Sequence, residues 1–261
     1  MADIPSTKPS PTHPLGVICA MPDEIQHLAA DLSSAAVEGH GGLRFMNGVL
    51  EGRSVVLVES GIGKVNAAMV ATLLADRFAC RALLVSGAAG GIDPALGIGD
   101  VVIAERLIQH DYGTATPGGF RPFRPGDVPL GEPTRAIDYR IDPAVRAVIA
   151  RALEGFRPDF RLAGAAGSRR PVWRFGTVVS GDAFVNDEAM RRRLLAEFGA
   201  QAVEMEGAAV AQVAERYGVP CVVVRCLSDL AGADSHLDIV SFLGAAAREA
   251  ADVVRRLVPV L

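Results

Sequence analysis

The chain has 261 residues and a mass of 27.3 kDa, enough to bury a sizeable hydrophobic core in one large domain or two small ones. Hydrophobic residues make up 50% of it and charged residues 21%, a composition typical of a globular protein. The net charge of −4 gives no general attraction to nucleic acid or anionic membranes, and no apolar run reaches the length of a transmembrane span. We therefore expect neither nucleic acid nor a membrane as a partner.

The segment before residue 15 is predicted to be a leader. Residues 1–14 are rich in proline, serine and threonine and contain no apolar stretch of the kind that a secretory signal needs. We predict that residues 1–14 are disordered and that residues 15–261 form the folded domain. The four cysteines show no CxxC spacing, which favours reduced core thiols over disulfides or metal ligands, and therefore a cytoplasmic location. They are Cys19, Cys80, Cys221 and Cys226.

Apolar strands alternate with helices in the N-terminal half. Pro22 suits the first turn of a helix, and the Asn47-Gly48 pair indicates a hairpin. Residues 60–64 read Ser-Gly-Ile-Gly-Lys after a strand, so their backbone amides can approach a ligand, although the spacing is not that of a dinucleotide fingerprint or a P-loop. The predicted elements are strands over residues 15–20, within 36–59 and over 82–86, and helices over 22–32 and 64–78.

The C-terminal half continues this alternation. The segment Gly-Ala-Ala-Gly-Gly at residues 87–91 indicates backbone packed closely against a ligand or another strand, or else a tight turn. Residues 113–136 are rich in glycine and proline and predict a long loop. The alternation predicts an α/β domain around a largely parallel or mixed sheet. The remaining predicted elements are strands from residue 100, over 174–180 and over 221–227, and helices over 143–153, 188–198, 207–217 and 238–257.

The last predicted strand brings polar groups to its carboxyl end. Three valines precede Arg225, and Ser228 and Asp229 follow. Ligands of open α/β sheets bind outside the carboxyl ends of the strands, so Asp229 is placed to protonate a bound ligand. His110 and His236 lie near similar strand ends, but two scattered histidines do not make a metal site, and we expect no metal.

Three further carboxylates lie at strand ends or between apolar runs, where a charge is costly unless it is paired or used. Glu24 follows the first strand and could simply be a charge at a helix start. Glu204 and Glu206 flank Met205, so in an extended segment both carboxylates point to the same side. They could bind a ligand that presents hydroxyl groups, such as a ribose diol, or they could pair with Arg225.

Six segments carry a resemblance to a known family. They are residues 16–24, 59–65, 86–91, 180–185, 203–206 and 224–229. Together, and in the family's order, they resemble the 5′-methylthioadenosine/S-adenosylhomocysteine nucleosidases of the purine nucleoside phosphorylase superfamily. The resemblance implies a single three-layer α/β/α domain with a mixed central sheet, a homodimer, and a reaction that uses no cofactor.

The resemblance also implies a small-molecule substrate and roles for individual residues. The substrate would be a 5′-modified adenine nucleoside, 5′-methylthioadenosine or S-adenosylhomocysteine, hydrolysed to release adenine. Asp229, held by Ser228, would protonate adenine at N7, and Glu24 would take a proton from the attacking water. Glu206 would accept hydrogen bonds from the ribose hydroxyls. The other implied binding residues are Glu204, Met205 and Arg225 near the sugar and the water, Phe184 and the Val185 backbone at adenine, Met21 and Ile62 at the anomeric carbon and 5′ side, and Ala88, where many family members carry serine.

Two alternatives remain open at the level of sequence. A phosphorylase would use phosphate instead of water, but the Met-Pro-Asp-Glu segment after the first strand offers two acids and no base, which favours water. A non-catalytic nucleoside-binding sensor would require loss of Asp229 or Glu24, and both are present. The 5′ substituent also stays open, whether methylthio, homocysteinyl or futalosine-type. Ile239 replaces an aromatic residue frequent in the family, and Arg121 and Arg124 could meet a carboxylate on the 5′ group or simply be solvated.

Overall fold

The computed structural model describes residues 10, 12–160, 170–232 and 235–261. Most of the predicted leader (residues 1–9 and 11) lies outside the described residues, as do residues 161–169 and 233–234. The strands are β1 (Leu15–Cys19), β2 (Ser33–His40), β3 (Leu43–Leu50), β4 (Arg53–Glu59), β5 (Ala82–Gly91), β6 (Val101–Gln109), β7 (Gly113–Thr116), β8 (Gly119–Pro122), β9 (Asp138–Arg140), β10 (Trp173–Ser180), β11 (Ala202–Glu204) and β12 (Cys221–Asp229). The helices are α1 (Pro22–Ala29), α2 (Lys64–Asp76), α3 (Pro143–Ala152), α4 (Glu188–Phe198), α5 (Gly207–Tyr217) and α6 (Ser235–Leu257).

A ten-stranded mixed sheet forms the centre of the molecule, with the order β11-β10-β6-β12-β5-β1-β4-β3-β2 and β9 paired to β6. Strand β5 pairs in parallel with β1 and β12, whereas β12 pairs antiparallel with β6. Strand β11 pairs with β10 and also, in the antiparallel sense, with β5. The strands β5, β12, β6, β10 and β11 therefore close into a ring at one end of the sheet. The predicted mixed sheet is confirmed, but its closure was not predicted.

Helices cover both faces of the sheet, as the alternation of side chains along the strands requires. In β12, Val222 and Val224 pack in one hydrophobic cluster with α1, α3 and α6, whereas Val223 and Leu227 pack in a second cluster with α2 and α5. The same alternation occurs in β1, where Val17 belongs to the first cluster and Ile18 to the second. One cluster lies between the sheet and the helices on each of its two faces, which gives three layers. The parallel strands β1, β5 and β12 end at the same edge of the sheet.

The small residues that follow Val85 belong to strand β5. Gly90 and Gly91 pair with Val203 and Ala202 of β11, so the segment at residues 87–91 continues β5. The expectation of close packing against another strand is confirmed, and the alternative of a tight turn is wrong. Because a strand approaches at this point, small side chains are needed on the β5 side.

The predicted loop over residues 113–136 contains the hairpin of β7 and β8, so the prediction of a loop is wrong for those strands. The residues of β7 and β8 are exposed or only partly buried. Because neither strand has a buried face, neither needs the alternation of apolar and polar side chains that indicates a strand. All four cysteines are free, as predicted. Within the described residues, no helix combines the length and apolar character needed to cross a membrane.

Candidate active site

One cavity lies at the carboxyl ends of β1, β5 and β12, beside β11 and the turn that precedes α2. Every predicted site residue except Val185 lines it. These residues are Met21, Glu24, Ile62, Ala88, Phe184, Glu204, Met205, Glu206, Arg225, Ser228 and Asp229. The fold thus brings together side chains that extend from residue 21 to residue 229 of the sequence.

Asp229 ends β12, and only 1% of its surface is exposed. Its Oδ1 accepts a hydrogen bond from the Ala231 amide at 2.8 Å, and its Oδ2 accepts one from the Ser228 hydroxyl at 3.0 Å. Burial raises the pKa of Asp229, although both hydrogen bonds oppose the rise. Gly90 leaves room for this carboxylate, since a Cβ atom there would lie 2.9 Å from Oδ1. Asp229 is therefore a buried carboxyl group at the cavity wall whose pKa is raised above its ordinary value.

Glu24 reaches the cavity from the first turn of α1 and is buried. Its Oε2 accepts hydrogen bonds from the amides of Ala20 at 2.8 Å and Met21 at 3.1 Å, and its Oε1 accepts one from the Ala88 amide at 2.9 Å. Burial raises the pKa of Glu24, while Arg225 and these three amides oppose the rise. Glu24 is thus more than a helix-start charge, because it links β1 to β5 and faces the cavity.

Arg225 is buried in β12 among three carboxylates. Its Nη2 donates to Glu204 and, at 2.9 Å, to Glu206, and its Nη1 lies 4.0 Å from Glu24 Oε1. The ion pair considered from the sequence is therefore present. Gly87 makes the arrangement possible, since a Cβ atom there would overlap Glu24 Oε1 and Arg225 Nη1. This acidic cluster therefore holds three carboxyl groups against one guanidinium.

Glu206 follows β11 and is held at both carboxylate oxygens. Its Oε1 accepts a hydrogen bond from the Gly63 amide at 2.8 Å, and its Oε2 accepts the bond from Arg225. Burial, opposed by Arg225 and reinforced by Glu204, raises the pKa of Glu206 to about 7. Glu204 in turn accepts hydrogen bonds from the Glu206 amide at 3.0 Å and from the Ser180 hydroxyl. The two carboxylates are therefore fixed in position before any ligand binds.

Comparison with known proteins shows the family of this chain. The family model of the phosphorylase superfamily matches residues 14–259. The 5′-methylthioadenosine/S-adenosylhomocysteine nucleosidase of Mycobacterium tuberculosis (strain CDC 1551 / Oshkosh) is 46% identical over 248 residues, which cover 95% of this chain and 97% of that protein. The chain belongs to the 5′-methylthioadenosine/S-adenosylhomocysteine nucleosidase family, within the phosphorylase superfamily.

Solved structures from this superfamily share the fold. The nucleosidase of S. pneumoniae, solved with a transition-state inhibitor, superposes with a TM-score of 0.78 at 31% identity, covering 94% of this chain and 98% of that chain. The futalosine hydrolase of Helicobacter pylori strain 26695 superposes with a TM-score of 0.81 at 29% identity, covering 96% of this chain and 99% of that chain. The single-domain α/β fold with a mixed sheet, predicted from the resemblance, is confirmed.

The apolar residues of this nucleosidase-family site lie toward the mouth of the cavity. Phe184 is 46% exposed and Ile62 is 50% exposed, although both line the cavity. The side chain of Val185 is instead buried in an apolar cluster with Val179 and Leu194, and Val185 does not line the cavity. The side chains that the resemblance places at the adenine and at the 5′ group are therefore both open to solvent.

Two arginines that were considered for the 5′ substituent are already engaged within the chain. Arg124 is buried, its guanidinium lies 4.0 Å from the centre of the Tyr139 ring, and it bonds to Glu215. Arg121 pairs with Glu132 at 2.6 Å. Arg124 is therefore neither solvated nor free for a ligand, and both expectations for it are wrong. Ile239 lines the cavity.

The sequence reasoning did not find two residues that orient the carboxylates. Ser180 ends β10, donates to Glu204 and accepts a hydrogen bond from the Ala208 amide at 2.8 Å. Gly63 gives its amide to Glu206. Ser180 and Gly63 lie in segments that carry the resemblance to the family. The carboxylate that each of them contacts is visible only in the folded chain. Among the described residues, no group of three or more potential metal ligands could hold a metal ion.

Proposed function

We propose that this protein hydrolyses the N-glycosidic bond of 5′-modified adenine nucleosides, 5′-methylthioadenosine and S-adenosylhomocysteine, and so releases adenine. One observation carries the proposal: the buried acid Asp229 opens into the same cavity as Glu24 and Glu206. The 46% identity to a protein named for this activity supports it. An acid, a water-activating carboxylate and a ribose-binding carboxylate are what the cleavage of a nucleoside requires.

Asp229 acts as the general acid. Protonation of adenine at N7 turns the base into a better leaving group, and the raised pKa of Asp229 keeps a proton available for that step. Ser228 Oγ lies 3.0 Å from Asp229 Oδ2 and 3.4 Å from the Ala89 carbonyl oxygen. The hydroxyl can therefore accept from protonated Asp229 while it donates to Ala89, and it can donate to ionised Asp229 after the transfer. Ser228 thus stabilises both protonation states.

Glu24 and Glu206 act on the ribose side. As the bond to adenine breaks, the sugar gains oxocarbenium character, and the acidic cluster around Arg225 stabilises this positive charge. Glu24 accepts a proton from the attacking water. Glu206 accepts hydrogen bonds from the ribose hydroxyls, and its contact with Arg225 favours the ionised form that accepts them.

The charge of the site favours water over phosphate as the nucleophile. Among the described residues that line the cavity, Arg225 is the only cation, and it already bonds to Glu204 and Glu206. A phosphate dianion needs free cationic donors, and here it would face three carboxylates instead. We infer hydrolysis rather than phosphorolysis from this arrangement.

The proposal is tested by adenine release from a panel of 5′-substituted adenine nucleosides, with and without inorganic phosphate. We expect free adenine from 5′-methylthioadenosine and S-adenosylhomocysteine at the same rate in both conditions, with the unphosphorylated 5′-substituted ribose as the second product. Strict dependence on phosphate would make the protein a phosphorylase. Binding without turnover in either condition would make it a nucleoside sensor.

We also infer a homodimer, with residues 15–261 as one catalytic domain in each subunit and a cytoplasmic location that fits the free thiols. Exposed apolar residues of the turn before α2, of α2 itself, of the segment after β10 and of α6 support the dimer, since a partner would cover them. They include Ile62, Val65, Met69, Phe184, Leu237 and Val240. Sedimentation at micromolar concentration measures the mass, and a monomer throughout would contradict the inference.

A further inference from the structure

We propose that Lys64, Asp111 and Asp182 form a closed polar ring that positions the two halves of the nucleoside pocket and thereby sets the affinity for the substrate. This inference rests on the proposed function. None of the three side chains lines the cavity. They are positioning residues, which act through Phe184 and Glu206.

The ring joins three parts of the fold that are distant in sequence. The Lys64 amide donates to Asp182 Oδ1 at 2.8 Å, and the Asp182 amide donates to Asp111 Oδ2 at 2.9 Å. The Lys64 ammonium closes the ring by donating to Asp111 Oδ1 at 2.6 Å, and it lies 3.8 Å from Asp182 Oδ2. These contacts connect the start of α2, the end of β6 and the segment after β10.

Asp182 supplies a helix cap that α2 lacks in its own sequence. The N-cap residue of α2 is Gly63, with a φ of +102° and no side chain that could accept a hydrogen bond. The carboxylate of Asp182 takes that place at the Lys64 amide, where a negative charge also suits the helix dipole. The segment that carries Asp182 is therefore tied to α2 by a directed, charge-assisted bond.

The same helix start holds one proposed ligand group directly and another through Asp182. The Gly63 amide donates to Glu206, the proposed ribose ligand, at 2.8 Å. Phe184, proposed to stack on adenine, follows Asp182 by two residues. The adjacent amides of Gly63 and Lys64, at the start of α2, thus fix the ribose side and the adenine side of the pocket relative to each other.

The lysine is needed because two carboxylates meet at this point. Burial alone would raise the pKa of Asp111, but the hydrogen bonds from Lys64 and the Asp182 amide lower it below its ordinary value. His110 also neighbours Asp111, but burial lowers the pKa of its imidazole, and Asp111 opposes this while Arg193 and Lys64 add to it. Lys64 is the cation that donates a hydrogen bond to Asp111, and without it the two aspartates would repel each other.

The backbone before Asp182 is also closely packed. A Cβ atom on Gly181 would overlap the His110 imidazole, so the segment lies directly on that ring. The Gly181 amide donates to the Glu204 carbonyl oxygen at 3.1 Å. Because the segment is seated so closely on the imidazole, a small displacement at Asp182 is passed on to Phe184.

The test compares Lys64→Met, Asp182→Ala and Asp182→Asn with the unmodified protein. The Gly63 amide still holds Glu206 in these variants, so the change falls on Phe184. Because base stacking contributes equally to ground-state and transition-state binding, we expect KM for 5′-methylthioadenosine and Kd for adenine to rise about 10-fold in the first two, with kcat within about 3-fold. Asp182→Asn keeps an oxygen that accepts from the Lys64 amide, so its rise should be smaller. Arg106→Met is the matched control, since Arg106 also pairs with an aspartate, Asp138, at 2.9 Å but does not line the cavity. Its KM and Kd should not change.

An unchanged KM and Kd in either Lys64→Met or Asp182→Ala overturns the inference, even if kcat or the melting temperature falls, because loss of stability alone lowers the active fraction without changing affinity. An equal rise in Arg106→Met overturns it as well. If Lys64→Met does not fold, the graded pair at Asp182 provides the result. If the unmodified protein neither cleaves the nucleoside nor binds adenine, the proposed function is overturned, and this inference with it. If the unmodified protein is active and only the predicted changes in KM and Kd are missing, the inference about the ring fails alone.

Discussion

Asp229 combines near-complete burial with hydrogen bonds from the Ala231 amide and the Ser228 hydroxyl, and Ser235 also favours its ionised form. A carboxylate buried with more donors would be held ionised, and one with fewer would be too costly to bury in either state. The balance at Asp229 favours a proton that can be released toward a base. Burial raises the pKa of Glu24 as well, but Arg225 opposes the rise there together with three amides. The nearby guanidinium is therefore what distinguishes the surroundings of Glu24 from those of Asp229.

Asp229→Asn removes the acid while keeping the shape of the side chain. We expect kcat for adenine release to fall by about 10³-fold, within the range that general acid catalysis contributes, and adenine binding to change little. The melting temperature should stay the same or rise, because a buried ionisable group is lost. Asp142→Asn is the control, since Asp142 also accepts a backbone amide bond but caps α3 away from the cavity. Full activity in Asp229→Asn would show that another group supplies the proton.

The identity of the site residues could be predicted at this scale, but their partners could not. Asp229 and Glu206 were visible because a charge beside an apolar strand needs a reason. The bond from Gly63 to Glu206 joins residues 143 positions apart, and nothing in the local sequence indicates it. Arg124 shows the opposite case. The glycine- and proline-rich sequence around Arg124 predicts an exposed loop charge. Its burial against Tyr139 depends on tertiary packing, which the composition of the loop does not indicate.

At the scale of elements, β5 determines how closely the catalytic groups can approach one another. It lies between β1 and β12 and also pairs with β11, so the strands that carry or precede Glu24, Arg225 and Glu206 all border it. The sequence indicated close packing at residues 87–91 through its small side chains. It did not show that the strand continues through them, because glycine is unfavourable in a strand unless a neighbour requires it.

Gly87→Ala places a methyl group between the carboxylate of Glu24 and the guanidinium of Arg225. Both groups are buried and bonded, so neither can move without loss of a hydrogen bond. We expect kcat/KM to fall at least 10-fold and the free energy of unfolding to fall by about 1–3 kcal/mol, as for overpacking of a core. Urea denaturation and adenine release measure the two effects.

Gly244→Ala is the matched control for that substitution. Gly244 lies in α6, and a Cβ atom there would meet nothing within 4 Å. Because alanine is favoured over glycine in a helix, this change should raise the free energy of unfolding by about 0.5–1 kcal/mol and leave activity unchanged. If Gly87→Ala behaved like Gly244→Ala, the proposed close contact at β5 would be contradicted.

At the scale of the whole molecule, closure of the strand ring places the active site. Strand β11 is three residues long, yet its pairing with both β10 and β5 brings Glu204 and Glu206 against Arg225 and Glu24. The alternation of strands and helices predicted the layers, since it depends on local periodicity. It could not predict the closure, which depends on pairing between strands more than a hundred residues apart. The acidic cluster therefore arises from the strand topology. The free energy needed to bury its carboxylates lowers the stability of the entire domain.

This cost predicts a dependence of stability on pH. The pKa of Glu206 is about 7 in the folded protein against 4.5 for the free side chain, so between these values the folded state binds a proton that the unfolded state has lost. The stability due to this group is fully present below pH 4.5, and it decreases as the pH rises to about 7. The shift corresponds to a loss on the order of 3 kcal/mol.

Glu206→Gln isolates this contribution, because glutamine retains an oxygen for the Gly63 amide but does not titrate. We expect the free energy of unfolding of the unmodified protein, minus that of Glu206→Gln, to fall steadily from pH 4.5 to pH 7 and then to level off. Taking the difference removes the titration of the other carboxylates, such as Asp111, whose lowered pKa acts in the opposite direction. Urea denaturation at each pH measures both proteins. A difference that stays constant, or that rises with pH, would mean that Glu206 is ionised in the folded protein throughout, because Arg225 then outweighs the effect of burial on its carboxylate.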